Sequence, residues 1–196
     1  MAKRVLIVNK FYYPRGGDCI CAINLETMLK AAGYETAVYS MSFPENIACE
    51  DSKYFASEVS FGGGIANKLK ALKRVLGLGD IKKSFAGILE DFKPDVVHFH
   101  NIHSYLSPIV VKMAHDAGAK TVWTMHDYKL VCPAYSCRRG TDSKTCEECF
   151  ADANSNPKGV ISNRCMKGSL VASGIAYIEA KRWKHDKLIS YTDAFV

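Results

Sequence analysis

The chain has 196 residues, 48% hydrophobic and 23% charged, the balance of a globular protein with one sizeable core. Its net charge of +6 suits anionic ligands such as phosphates or acidic lipid headgroups, and is too mild for a nucleic-acid binder. No stretch approaches the roughly 20 apolar residues of a membrane span, and the apolar run after the opening MAKR is too short for a signal peptide. These features place the chain in the cytoplasm, where its eight cysteines stay reduced and clustered ones point to metal before disulfide.

Residues 4–9 (RVLIVN) are a short β-branched run and predict a buried strand. A loop with Pro14, Gly16 and Gly17 follows. Asp18 is placed to cap a helix reaching Ala32, with Cys21, Leu25, Met28 and Ala32 on one face and Gly33 as its stop. Residues 35–40 (ETAVYS) predict a second strand, and the βαβ unit so formed implies a parallel sheet. Ile65, Leu69, Leu72 and Leu76 then fall at helical spacing until Gly77 and Gly79 interrupt. A further helix carries Ile81, Phe85, Ile88, Leu89 and Phe92 before Pro94. Residues 95–100 (DVVHFH) are the next strand. Ser107-Pro108 starts a helix that ends near Gly118, and residues 120–125 (KTVWTM) are another strand. A last helix spans Ser169 to Lys187, with Leu170, Ile175, Ile178 and Trp183 among its apolar residues. Residues 189–196 (ISYTDAFV) open one more strand-helix unit.

The fold class is therefore α/β, a doubly wound parallel sheet with a cysteine-rich loop excursion over residues 132–165. Ligands of such sheets bind beyond the carboxyl ends of the strands. Those ends are Asn9 onward, His98 to His103, and His126-Asp127.

Four sites follow. Arg15, Gly16 and Gly17 precede a helix, where glycines let backbone amides approach a phosphate; the alternative is a tight turn. The full G-x-G-x-x-G fingerprint is absent and no acid ends the second strand, which argues against NAD. His98, His100 and His103, with Asn101 between them, offer a metal-ligand pattern or a buried, hydrogen-bonded histidine in a polar loop. His126 can hydrogen-bond a hydroxyl or phosphate or act as a base, with Asp127 orienting it or capping the turn. Cys146 and Cys149 form a C-x-x-C pair, which Cys132 and Cys165 complete as a structural zinc site, with Cys137 as a substitute; free thiols are the alternative. In addition, Lys68, Lys70, Lys73, Arg74, Lys82 and Lys83 lie around two amphipathic helices. They make a face for anionic membrane or a solvated helix surface.

Taken together, the stretches RVLIVNKFYYPRGGD, KPDVVHFHNIHSYLSP and GAKTVWTMHDYKLVCP, followed by CEEC and NRCMKGS, resemble the N-terminal domain of GT-B glycosyltransferases of the retaining family 4. The resemblance runs from residue 4 to about residue 169, and its strength lies in the order of the pieces. It implies a Rossmann-like half of an enzyme that moves a sugar from a nucleotide-sugar donor to a saccharide or lipid-linked acceptor, with no required metal. It implies that Gly16-Gly17 approach the donor diphosphate and that His126 reaches the donor sugar or the acceptor. It also implies that His100, Asn101 and His103 face the cleft. The donor-binding half, with its paired glutamates, would lie outside this chain, which alone would not turn over. Two other readings use the same residues. One is a metal-dependent hydrolase built on His98, His100, His103 and His126. The other is a non-catalytic, zinc-stabilised module binding a sugar, phosphate or lipid headgroup.

Overall fold

A computed structural model describes residues 3–61, 64–140, 144–149 and 156–196. The chain divides into two compact units, Met1–His126 with Tyr191–Val196, and Asp127–Ser190. The first unit holds a five-stranded sheet of β1 (Arg4–Val8), β2 (Glu35–Tyr39), β3 (Val96–Phe99), β4 (Lys120–Trp123) and β5 (Ala194–Phe195). The order is β2-β1-β3-β4-β5 and every pairing is parallel. This is the α/β, Rossmann-like class read from the sequence.

The strands form because their residues are β-branched or aromatic and are covered on both sides, as parallel sheets require. Leu6, Ile7, Val8, Tyr39, Val97, Phe99 and Trp123 are all buried. The chain steps outward from β1 to β2 and then returns to the other side of β1 as β3. That reversal opens a crevice at the carboxyl ends of β1 and β3. Beyond β2, Ala56 forms a single parallel bridge with Met41. Its amide donates to Ser40 and its carbonyl accepts from Ser42, a one-residue sixth strand.

The helices of this unit are α1 (Gly17–Ala31), α2 (Ile65–Val75), α3 (Ile81–Phe92) and α4 (Ile109–Asp116). On α3 the inward residues Ile81, Phe85, Ile88 and Leu89 match expectation. On α1 they do not. Gly16, not Asp18, is the N-cap, and the buried residues are Cys19, Ala22 and Glu26, while Met28 is 68% exposed. A carboxylate stands on the inner face because the Tyr12 hydroxyl donates to it at 2.7 Å and Lys30 Nζ at 2.6 Å. On α2, Leu69 is exposed, Ala71, Arg74 and Val75 are buried, and the side chain of Ile65 lies outside the described residues. Arg74 thus leaves the proposed basic face. Its guanidinium donates to Asp80 Oδ1 at 2.7 Å, to the Tyr105 carbonyl at 2.8 Å and to the Ser57 carbonyl at 3.1 Å. Lys68, Lys70, Lys73, Lys82 and Lys83 remain exposed.

The second unit carries α5 (Gly159–Ser162), α6 (Leu170–Arg182) and α7 (His185–Ser190). The sequence predicts one helix where α6 and α7 stand; buried Trp183 breaks it with a non-helical backbone. Ser169 caps α6 by accepting the Ala172 amide at 3.2 Å. Leu170 and Ile178 turn outward, and Ser173, Ala176 and Glu179 turn inward. Buried Glu179 faces Lys129 Nζ at 3.1 Å. No helix among the described residues is long and apolar enough to cross a membrane.

Candidate functional site

At the crevice, Asn9 joins two strand ends. Its Nδ2 donates to the Phe11 carbonyl at 3.0 Å and its Oδ1 accepts the Asn101 amide at 3.1 Å. The Lys10 amide donates to the Asn101 carbonyl at 3.1 Å. The loop after β1 is therefore fixed to the loop after β3. Asn9 marked only a strand end in the sequence; its positioning role depends on a partner 92 positions away.

Three imidazoles stack beside this joint. The rings of His98 and His100 lie 4.8 Å apart at 11°, and those of His100 and His126 lie 5.3 Å apart at 23°. His100 Nδ1 and His126 Nε2 are 3.0 Å apart, so one donates and the other accepts. His98 Nε2 meets Thr124 Oγ1 at 2.8 Å. Trp123 Nε1 donates to the His100 carbonyl at 2.8 Å and locks β3 to β4. Burial, reinforced by the neighbouring imidazoles, lowers His98 to about 4 and His100 to about 3. Both are neutral at physiological pH. His103 is not in the stack; its ring packs on Trp123 at 5.1 Å.

Cys21 projects into the same place. Its sulfur and one ring nitrogen each of His100 and His126 all lie within 4.8 Å of one another. Among the described residues this is the one such set of metal-ligating atoms. The sequence puts Cys21 on the inner face of α1, and the true rotation of that helix turns it to the crevice. The ligand set expected from sequence, with His98 and His103, is therefore not the one assembled.

The glycine loop lies at the start of α1. Gly16 has extended backbone and no side chain caps the helix. A Cβ at Gly17 would meet nothing within 4 Å, so packing within the chain does not demand glycine there. Asp18 sits in the first turn. Burial pushes its carboxyl up, but Lys10 Nζ at 3.2 Å and further hydrogen bonds bring it below the ordinary value. The Arg15 guanidinium stacks 4.3 Å over the Phe11 ring and donates to the Tyr13 hydroxyl at 3.1 Å. Phe11 also packs on Phe43 and Tyr105, with centroids at 5.2 and 5.7 Å. Cationic and aromatic surface thus lines the loop after β1.

Asp127 belongs to the second unit, where its Oδ1 accepts the Lys129 amide at 2.8 Å in an Asx turn. Cys132, Cys146, Cys149 and Cys165 line one cavity of that unit; Cys137 does not line it, but its thiol hydrogen-bonds with that of Cys132 and it packs against the same cluster. No known family model matches the sequence, and no curated protein matches it.

Proposed function

We propose that the first unit is the acceptor-side half of a retaining glycosyltransferase of the family 4 type, using a nucleotide-sugar donor and a saccharide or lipid-linked acceptor. One observation carries this reading. His100, Asn101 and His126 converge with the first turns of α1 at the carboxyl ends of a parallel sheet, where the atoms of Cys21, His100 and His126 lie within 4.8 Å. A donor diphosphate would lie against Gly16-Gly17, with Arg15 at hand to offset charge. Asp18 opposes an anion there, and its pairing with Lys10 reduces that opposition. His126 would hydrogen-bond the transferred sugar. His100, neutral and buried, holds the His126 ring through the 3.0 Å contact and so acts as a positioning residue. Catalysis of this kind is placement and fixed electrostatics rather than proton transfer by a charged imidazole. The exposed lysines of α2 and α3 suit an anionic membrane surface near a lipid-linked acceptor.

The test is binding of UDP- and GDP-sugars and of short saccharides, followed by resonance perturbation. Shifts confined to residues 9–17, 100–103 and 126, and weakened roughly tenfold by His126→Ala, support the reading. Undisturbed resonances at those positions with every probe would sink it. Metal-dependent hydrolysis stays the second reading because Cys21, His100 and His126 can ligate a divalent ion. Metal that leaves with His126→Ala, together with hydrolysis of an ester or phosphoester, would favour it.

A further inference from the structure

The cysteine segment lies wholly within Asp127–Ser190 and supplies none of the residues to which the proposed function gives a role in sugar transfer. Cys132, Cys146, Cys149 and Cys165 line a single cavity there, with Pro133, Ala134 and Val160 among its other walls. The free space is about 10 Å³, room for one water-sized body.

Separate pieces of backbone deliver the four sulfurs. Arg138 and Thr145 form an antiparallel bridge next to Cys146, and Cys149 follows three positions later. The Cys132 amide is held by the Tyr128 carbonyl at 2.8 Å, and the Cys165 amide by the Val160 carbonyl at 3.1 Å. Tyr135, Cys137, Arg164 and Lys167 all have left-handed backbone, with φ of 57°, 51°, 46° and 54°. None is glycine, so each holds strain that the surroundings must over-determine. The surroundings are slight. The fully buried cluster is only Cys132, Ala134, Val160 and Ala176, with Ile161, Met166 and Tyr177 half-buried against it. The Val160 amide donates to the Cys149 sulfur and the Gly140 amide to the Cys165 sulfur. Burial outweighs these amides and pushes the Cys149 thiol up to about 11 and the Cys165 thiol above its ordinary value, so the amides only limit the rise. Gly159 clears space for one of them, since a Cβ there would stand 3.0 Å from Cys149 Sγ.

We propose that Cys132, Cys146, Cys149 and Cys165 ligate one zinc ion in a closed, structural site. Four thiolates in tetrahedral array select zinc among divalent ions and leave no position for substrate. Each thiol gives up its proton to solvent as its sulfur binds, so one zinc replaces four protons. Among the described residues no three of these sulfurs lie within 4.8 Å of one another. Ligation therefore draws them inward, and that closure links the metal to the order of the segment.

Metal analysis of the 196-residue chain tests this. About one zinc per chain is expected. Cobalt substitution should give the absorption of a tetrahedral four-thiolate site. Cys146→Ser and Cys149→Ser should lose nearly all the metal, while Cys137→Ser, Cys21→Ser and His126→Ala keep it. Should the serine variants not accumulate folded, alkylation of the wild type answers instead: zinc shields four of the eight cysteines and a chelator exposes them. A chain without tightly held zinc, a metal that leaves with Cys21 or His126, or the absorbance of an iron–sulfur cluster overturns the proposal. The outcome is independent of whether a nucleotide-sugar binds.

Discussion

Met1–His126 and Asp127–Ser190 differ in what orders them. In the first, a parallel sheet is filled by large side chains such as Phe85, Phe99 and Trp123, each nearly inaccessible. Burial of that kind stabilises by roughly 1.5–3 kcal/mol per large side chain and needs no cofactor. In the second, the fully buried residues around the cysteines are small, larger ones such as Met166 and Tyr177 are only half-buried, and α6 turns Ser173 and Glu179 inward. The contrast sets a region closed by apolar area beside one that relies on a buried ion pair and, on the proposal above, on zinc ligation.

The largest effect should come from chelation. A chelator is expected to abolish hydrogen-exchange protection around Cys146, Cys149 and α6 while β1 and β3 stay protected. Equal loss in both regions would break the comparison. Next, Phe99→Ala should cost about 3–5 kcal/mol through a core cavity, and Glu179→Ala about 3 kcal/mol by leaving Lys129 buried without its carboxylate. Lys129 and Glu179 side chains are only 7% and 3% exposed, so screening by water is slight. Denaturant melts followed at β3 and at α6 would show whether the two losses stay in their own regions. A smaller effect concerns pH. His98 and His100 are held below the ordinary 6.5, to about 4 and about 3, so the unfolded chain binds more protons in that window. Stability of the sheet region should fall as pH drops from about 6.5 toward 4, and His100→Asn should flatten the fall. Smallest, Leu69→Ser should stay within about 0.5 kcal/mol, because that leucine is 55% exposed.

Most strands were legible because a parallel sheet buries both faces and its runs are apolar without interruption, as in residues 5–8. Helix faces were less legible. Glu26, Arg74 and Glu179 are polar by composition and buried by partnership, with Tyr12 and Lys30, with Asp80, and with Lys129. A periodicity reading counts them as solvent-facing and so rotates α1, α2 and α6 wrongly. Cys21 was missed for that same reason. Cys146 and Cys149 were found from C-x-x-C spacing, a local pattern that survives without knowledge of packing, whereas spacing left Cys132 and Cys165 open to substitution by Cys137. His126 and His100 were found as strand ends, but their 3.0 Å contact joins residues 26 positions apart and is visible only in the fold.

The outer side of β2 has a further consequence. The Val38 amide, which would otherwise face outward unpaired, donates to Asp51 Oδ2 at 2.9 Å. Asp51 comes from the short 3-10 turn Glu50–Tyr54, and two residues past that turn Ala56 satisfies Ser40 and Ser42. A carboxylate and one residue thus stand in for a full neighbouring strand. A passing β-strand from another molecule finds no free amide row to zip onto at this margin, and the sheet is kept from growing there between molecules.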